Sequence, residues 1–158
     1  MPREYDNTGK VISAVEEATK VALMAAIMNM HNQAVPLSPF KTGNLAGSLS
    51  WTVGGEHSGV KHPATMKDGV RRTIRTDTAY LGTNVKYGPS VEYGSKPHII
   101  KAKNAKVLTD GKTFFGKQVR HPGTSPQSYL RLAFDTCKKN TPDIMAKAYK
   151  KAIEGVTR

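Results

Sequence analysis

Cysteine is nearly absent from this sequence, in which Cys137 is the only one. One thiol can form neither an intrachain disulfide nor the cysteine pairs of a structural zinc site. Long apolar runs are absent too, because the longest, residues 21–28, is far shorter than the ~20 residues of a membrane-spanning helix. The N-terminus carries Glu4 and Asp6 and lacks a signal-peptide pattern. We therefore expect a protein made in a reducing cytoplasm, without a membrane anchor.

Aromatic residues, and apolar residues in general, are scarce. Aromatics make up 7% and hydrophobic residues 38% of the 158 residues, whereas globular domains have about 45–50% apolar residues. A chain of this length suits a single domain, residues 1–158, because domains usually contain about 100–150 residues. We expect a modest core in the monomer and added stability from neighbouring subunits.

Acidic residues are the third deficit, with 12 Asp and Glu against 24 Lys and Arg, which gives a net charge of +12 and a pI near 9.9. This excess indicates an acidic partner, either nucleic acid or an acidic protein surface. Net charge alone does not distinguish between these two kinds of partner. The excess is concentrated in residues 96–120, where seven basic residues are balanced only by Asp110.

The N-terminal part has apolar residues at helical spacing. The pattern predicts a long helix from Thr8 to Ala34, ended by Pro36 and Pro39. Its apolar residues form two stripes and need two packing partners, the domain's own sheet and either a neighbouring subunit or more of the same core. The residues that we assign to self-association are Val11, Val15, Ala18, Ala22, Leu23 and Ile27.

The middle of the chain has the patterns of strands and turns. Leu45–Val53 alternates apolar and polar residues and is predicted to be a half-buried strand. Residues 54–69 are rich in glycine and are expected to form an exposed loop. Val70–Thr78 and Ala79–Thr83 predict one or two antiparallel strands. A single helical turn is allowed over Ser90–Tyr93.

The remaining segments predict a basic β-hairpin and two helices. Asp110-Gly111 favours a hairpin turn. Ser125-Pro126 is typical of a helix start, and Thr141-Pro142 repeats that signal before a second helix that Gly155 can end. The predicted fold class is α+β: a long N-terminal helix, an antiparallel β-sheet with a basic β-hairpin, and two C-terminal helices.

Catalytic patterns are missing from the sequence. The histidines lack the spacing of a zinc site, and no nucleotide-binding loop or nucleophile elbow occurs. Cys137 falls on the apolar face of a predicted helix, where thiols are normally inert. Glu92 lies between Val91 and Tyr93, and we expect a structural pairing for its carboxylate in preference to acid–base work. The sequence predicts no enzyme, no cofactor and no metal.

The basic hairpin allows two interpretations. Its lysines, with Phe114 and Phe115, could form a surface on which nucleic-acid bases stack. Alternatively, the lysines protect an edge from aggregation and the two phenylalanines anchor the hairpin. The positions that we assign to an acidic partner or to DNA are Lys101, Lys103, Lys106, Lys112 and Lys117. This surface is the basis of an alternative function, that of a small basic DNA-binding protein without sequence specificity.

Three ordered blocks resemble a family of tailed-bacteriophage neck and tail-completion proteins, often labelled gene-product-ten-like. The blocks are residues 39–49 (PFKTGNLAGSL), 81–94 (LGTNVKYGPSVEYG) and 126–133 (PQSYLRLA). Each block is weakly specific, whereas their order and spacing together are more specific. The positions that carry the resemblance are Thr42, Gly43, Leu45, Ser48, Gly82, Asn84, Tyr87, Glu92, Gly94, Pro126, Tyr129, Leu130 and Arg131.

The resemblance implies a structural role in the virion. Proteins of this family form rings between head and tail, join the two, and leave a central channel for DNA. The resemblance thus implies a homo-oligomeric ring, with six-fold symmetry favoured over twelve-fold. Its implied partners are adjacent neck and tail proteins and, without sequence specificity, the DNA in the channel. The implied location is the neck or tail region of the virion, after synthesis in the host cytoplasm.

Overall fold

A computed structural model of the chain describes residues 7–57, 77–103 and 106–156. It confirms the predicted α+β class. The helices are α1 (Thr8–Leu37), α2 (Asn44–Ser48), α3 (Gly88–Tyr93), α4 (Tyr129–Lys138) and α5 (Thr141–Val156). The strands are β1 (Leu49–Val53), β2 (Glu56–His57), β3 (Ala79–Thr83), β4 (His98–Lys101), β5 (Leu108–Thr109), β6 (Phe114–Gly116) and β7 (Gln118–His121).

The described residues form two compact units. The first, which we call the helical unit, contains the residues up to Val85 and those from Tyr129 onward, with α1, α2, α4, α5 and a sheet in the order β2-β1-β3. The second, the inserted unit, is Lys86–Ser128 and contains α3 and the other four strands.

Helix α1 continues past the predicted end at Ala34 and includes Pro36. The proline lies in the last turn, where its missing N–H removes a single backbone bond. The turn is completed by Ser38, whose N–H donates to Ala34 O at 3.0 Å and whose hydroxyl donates to Val35 O at 2.7 Å. Pro36 therefore does not stop the helix as predicted.

The strand predicted over Leu45–Val53 is half correct, because its first part is helix α2. Gly43 has φ of +76°, a backbone conformation that favours glycine. From there the chain turns back on itself, and Gly47 N–H donates to Gly43 O at 2.8 Å. The strand β1 begins only at Leu49.

The predicted alternation along β1 is also wrong, since Ser50 and Thr52 are buried as well as Leu49 and Val53. Strand β1 is the central strand of its sheet, and α1 packs against it. Its hydroxyls are thus enclosed, and the Thr52 hydroxyl donates to Glu56 O at 2.9 Å. Residues on both faces of β1 are therefore buried.

The loop predicted over 54–69 contains an unpredicted short strand. Gly54 and Gly55, both with positive φ, form the turn between β1 and β2. Residues 58–69 and most of the predicted strand Val70–Thr78 lie outside the described residues. Strand β3 confirms the extended segment Ala79–Thr83 and pairs antiparallel with β1, with Leu49 opposite Thr83.

Two antiparallel ladders in the inserted unit confirm the basic hairpin. Strand β4 pairs with β7, with His98 opposite His121. Strand β5 pairs with β6 across the turn that contains Asp110-Gly111. We call these four strands and their connections the basic ribbon. Helix α3 confirms the predicted helical turn and begins two residues earlier, at Gly88.

Helix α4 begins at Tyr129, three residues after the predicted start at Pro126. The backbone explains this, because Ser128 has φ of +26°, outside the helical region. Gln127 N–H donates to Val91 O at 2.9 Å and Ser128 N–H donates to Glu92 O at 3.3 Å. Both N–H groups are thus hydrogen-bonded to carbonyls at the end of α3. Helix α5 begins at Thr141 as predicted but passes Gly155 and ends at Val156.

The C-terminal helices are the second packing partner of α1, which contacts both α4 and α5 as well as the sheet. The Thr19 hydroxyl lies 3.0 Å from the Tyr149 hydroxyl and joins α1 to α5. Lys20 of α1 pairs with Glu56 of β2 at 3.6 Å. Phe134 of α4 is 50% exposed.

All buried apolar side chains of the described residues lie in the helical unit, and many are small. They are Ala18, Ala22, Ile27, Ala34, Leu45, Leu49, Val53, Val85, Tyr129, Ala133 and Cys137. Alanines allow α1 to approach its neighbours closely while burying little apolar area for each residue. The core is therefore small, as the composition predicts.

Candidate functional site

The first motif block forms the turn from α1 into the sheet. Thr42 is exposed and Gly43 supplies the left-handed backbone, whereas Leu45 and Ser48 are buried. These residues position a helical turn and the start of β1. Their arrangement is structural and offers no reactive group to solvent.

A chain of hydrogen bonds joins the first block to the second. Val85 N–H donates to the Thr83 hydroxyl at 3.1 Å, and the Thr83 and Ser48 hydroxyls are hydrogen-bonded to each other. The Ser48 hydroxyl in turn donates to Leu45 O at 2.7 Å. One proton arrangement satisfies every step, with each hydroxyl donating toward Leu45 O. The chain connects α2 to the end of β3.

The second block meets the segment that precedes α4. Besides the bonds from Gln127 and Ser128, Ser95 and Thr124 exchange both backbone bonds, at 3.0 and 3.1 Å. Gly94 has φ of +74°, and a Cβ at that position would lie 2.5 Å from Thr124 O. Glycine is therefore required at position 94 both by the backbone angle and by the space.

The other motif positions divide between buried and exposed sites. Glu92 is buried, as expected of a paired carboxylate, and Tyr129 is also buried. Leu130 is half-buried, whereas Tyr87, Pro126 and Arg131 are exposed. Gly82 and Asn84 lie in and just after β3 and are half-buried. A Cβ at Gly82 would meet nothing within 4 Å.

The residues assigned to self-association are used largely inside the helical unit. Ala18, Ala22 and Ile27 are buried, Val15 and Leu23 are half-buried, and Val11 is exposed. A different apolar stripe of α1 faces solvent. It consists of Val21, Ala25 and Met28, with Val21 52% and Met28 46% exposed. Their spacing of four and three residues places them on one helix face.

An apolar cavity of about 260 Å³ lies in the helical unit. Its walls include Leu23 and Met30 of α1, Leu81 of β3, and Phe134 and Cys137 of α4. Ligand pockets usually measure about 300–1,000 Å³ and combine apolar walls with several convergent polar groups. This cavity is smaller than that range, and its lining is mainly apolar.

The thiol of Cys137 is buried in the wall of that cavity. Burial raises the pKa of the Cys137 thiol, because the thiolate would lose its hydration. The structure therefore places Cys137 in the unreactive class of cysteines that the sequence predicts.

Three histidines, His31, His98 and His121, make structural contacts. His31 Nε2 lies 3.2 Å from Leu49 O. The rings of His98 and His121 stack with centroids 5.0 Å apart. His98 Nδ1 donates to Lys96 O at 2.8 Å, and His121 Nδ1 accepts from Gly123 N–H at 3.1 Å. Across residues 7–57, 77–103 and 106–156, no three His, Cys, Asp or Glu side chains are grouped as metal ligands would be.

The basic ribbon exposes both its cations and its aromatic rings. Lys101, Lys103, Lys106, Lys112 and Lys117 are all exposed. Phe114 is 77% and Phe115 45% exposed, so the expectation that these rings anchor the hairpin is wrong. The inserted unit contains eight basic and two acidic residues, a net charge of +6.

The turn at the tip of the ribbon is fixed by Asp110. Its carboxylate accepts the N–H of Thr113 at 2.7 Å and the N–H of Lys112 at 2.9 Å. These two bonds lower the pKa of Asp110, because they stabilise the ionised form. Lys112 is thereby held in a defined turn at the end of the ribbon.

Sequence reasoning missed three features of these surfaces. Arg120 belongs to the basic ribbon, because it lies opposite Ile99 in the β4–β7 ladder, which only the strand register reveals. Gly123 has positive φ, and a Cβ there would collide with Ser95 O. The exposed stripe of α1 has helical spacing, yet spacing alone does not tell a covered face from an open one.

Comparisons with known proteins add no assignment: no family model, no curated protein and no solved structure matches this chain. Among the helices in the described part of the chain, none has both the length and the apolar character needed to span a membrane.

Proposed function

We propose that this chain is a virion structural protein that forms a ring in the neck of a tailed phage. In this role it completes the tail or joins head to tail, contacts adjacent neck and tail proteins, and leaves a channel for DNA. Six-fold symmetry is favoured, with twelve-fold as the alternative. The role is not enzymatic. The starting point is the resemblance of the three sequence blocks to neck and tail-completion proteins.

The observation that carries the proposal is the open stripe of α1. The helix already contacts α4, α5 and the sheet, yet Val21, Ala25 and Met28 remain exposed on one face. Covering these side chains with a second copy would bury apolar area without bringing charges of like sign together in the centre of the contact. Contacts that repeat from copy to copy around a closed circle produce a ring.

The positions of the motif residues are compatible with this role. They hold turns and backbone junctions in both units and do not converge on a reactive cleft. A ring subunit needs such rigid joints to present the same surface in every copy. The proposed contact therefore shifts from Ala18, Ala22 and Ile27, which are buried, to Val21, Ala25 and Met28.

Native mass spectrometry and electron microscopy of the full chain test the proposal. We expect a closed oligomer, or a monomer that joins purified phage heads or tails. Replacing two side chains of the stripe (V21D together with M28D) should abolish assembly while leaving the circular dichroism spectrum unchanged. As a matched control, Ile153→Asp alters an apolar side chain on α5 that is similarly exposed and should leave assembly intact. A persistent monomer that joins neither heads nor tails would overturn the proposal.

A further inference from the structure

Within the described part of the chain, the cations of the basic ribbon are not neutralised. The ion pairs Lys20–Glu56 and Lys150–Glu154 both lie in the helical unit. Neither pair includes a lysine of the ribbon or Arg120. Of the two acidic residues of the inserted unit, Glu92 is buried and Asp110 accepts two backbone N–H groups. The ribbon is therefore a positive surface suited to a polyanion.

The aromatic rings of the ribbon are open to solvent. Phe114 and Phe115 are successive residues of β6, and all three residues of this strand are exposed. The register between β5 and β6 shifts at Leu108 and Thr109, as in a β-bulge, with Phe115 between the paired residues Phe114 and Gly116. Both rings lie near exposed lysines, of which Lys112 and Lys117 are closest in sequence.

This arrangement favours nucleic acid over an acidic protein as the partner. A protein interface gathers its apolar side chains into one central patch with a polar rim. Phe114 and Phe115 instead lie in a strand of three residues between Lys112 and Lys117, so exposed cations flank the rings on both sides along the chain. A nucleic-acid base needs only one ring to stack on, while the phosphates on either side of it need cations.

The stacking argument also distinguishes single strands from duplexes. In a duplex, each base is stacked on its neighbours and its flat faces are covered, whereas a single strand can turn a base onto an exposed ring. We propose that the basic ribbon binds single-stranded nucleic acid without sequence specificity, with Phe114 stacking a base and Lys101, Lys112, Lys117 and Arg120 contacting phosphates. This inference does not depend on ring formation.

Fluorescence anisotropy with the full chain and a labelled oligothymidine of about 15 nucleotides tests the inference. Binding should weaken as salt rises from ~50 to ~200 mM, and the same oligonucleotide should bind more tightly than its duplex. Phe114→Ala should lower the affinity about tenfold while leaving the salt dependence unchanged. Replacing Lys101 and Lys112 by Gln should reduce the slope of log affinity against log salt by ~0.7 for each phosphate that is no longer neutralised.

Two controls make the result specific. Phe40→Ala removes another very exposed phenylalanine, 82% exposed in the helical unit, and should leave binding unchanged. The assembly variant V21D/M28D should still bind the oligonucleotide, which separates failure of this inference from failure of the ring. Absence of binding at low salt, equal affinity of Phe114→Ala and wild type, or equal affinity for polyglutamate would overturn the inference.

Discussion

Cys137 shows how burial sets the chemistry of a single residue. Its thiol lines the apolar cavity, and burial raises its pKa. The folded chain therefore keeps the thiol proton to a higher pH than the unfolded chain does. The thiolate, which is the nucleophile, is correspondingly scarce at neutral pH in the folded protein.

We expect Cys137 in the folded protein to react with Ellman's reagent more slowly than in the denatured protein at neutral pH. Because the pKa is raised in the folded state, the free energy of unfolding should fall as pH rises through the ordinary thiol pKa. Guanidinium unfolding at several alkaline pH values, with Cys137→Ala as the control without a thiol, measures this contribution. Equal reaction rates in the two states would contradict the expected burial.

Gly94 has a strict backbone requirement. Its φ of +74° and ψ of −179° lie in a region that is essentially restricted to glycine, where other residues cost about 1–3 kcal/mol. Gly94→Ala should therefore lower the protection of the Ser95 and Thr124 amides about 10- to 100-fold in hydrogen exchange. The close approach to Thr124 O adds to this cost.

Alanine substitutions at two other glycines distinguish the backbone cost at Gly94 from the steric cost. Gly111 has φ of +93° but open space around its Cβ position, so Gly111→Ala has only the backbone cost. Gly82 has no positive φ, and a Cβ there would meet no heavy atom within 4 Å. We therefore expect Gly82→Ala to have little effect on amide protection. Unchanged protection of Ser95 and Thr124 in Gly94→Ala would show that the tight junction is absent in solution.

At the scale of elements, the hydroxyl chain through Ser48 and Thr83 joins α2 to the end of β3. Ser48 is fully buried, and removing its hydroxyl leaves buried groups without their bonds. We expect Ser48→Ala to destabilise the protein by about 1–3 kcal/mol. Chemical denaturation measures the loss, and Ser90→Ala, at an exposed serine of α3, should change stability little. A neutral effect of Ser48→Ala would mean that the hydroxyl chain contributes nothing.

The lengths of α1 and α4 are decided by their neighbouring segments. Pro36 remains helical because Ser38 completes the last turn. Pro126 does not open α4, because Ser128 has φ of +26°, outside the helical region. Neither proline acts as its local signal predicts, since Pro36 is predicted to end a helix and Pro126 to begin one.

At the scale of the whole molecule, the two units differ in how they are stabilised. Every buried apolar side chain of the described residues lies in the helical unit. The inserted unit relies on two short ladders and the junction between α3 and the segment before α4. Regions with little buried apolar surface open at low free energy.

We therefore expect hydrogen exchange to divide the chain into two classes. Amides of the basic ribbon should exchange by local opening, faster than those in the middle of α1 and in β1. Mass spectrometry of deuterium uptake at neutral pH resolves the two classes by peptide. Uniform protection across both units would indicate one cooperative structure instead.

The sequence by itself determined the features that depend on local patterns. Helical spacing predicts α1 and α5, Asp110-Gly111 predicts the hairpin turn, and the charge excess identifies the inserted unit as the more basic part. Each of these patterns involves residues that are close in sequence, so each can be recognised without knowledge of the fold.

Only the tertiary structure decided which side chains are covered. Ser50 and Thr52 are buried although they alternate with apolar residues, and Phe114 is exposed because none of the described residues packs over it. Val21 and Met28, not Ala18 and Ala22, face solvent because α4, α5 and the sheet occupy the other sides of α1. Burial is set by contacts between residues distant in sequence, which local periodicity does not contain.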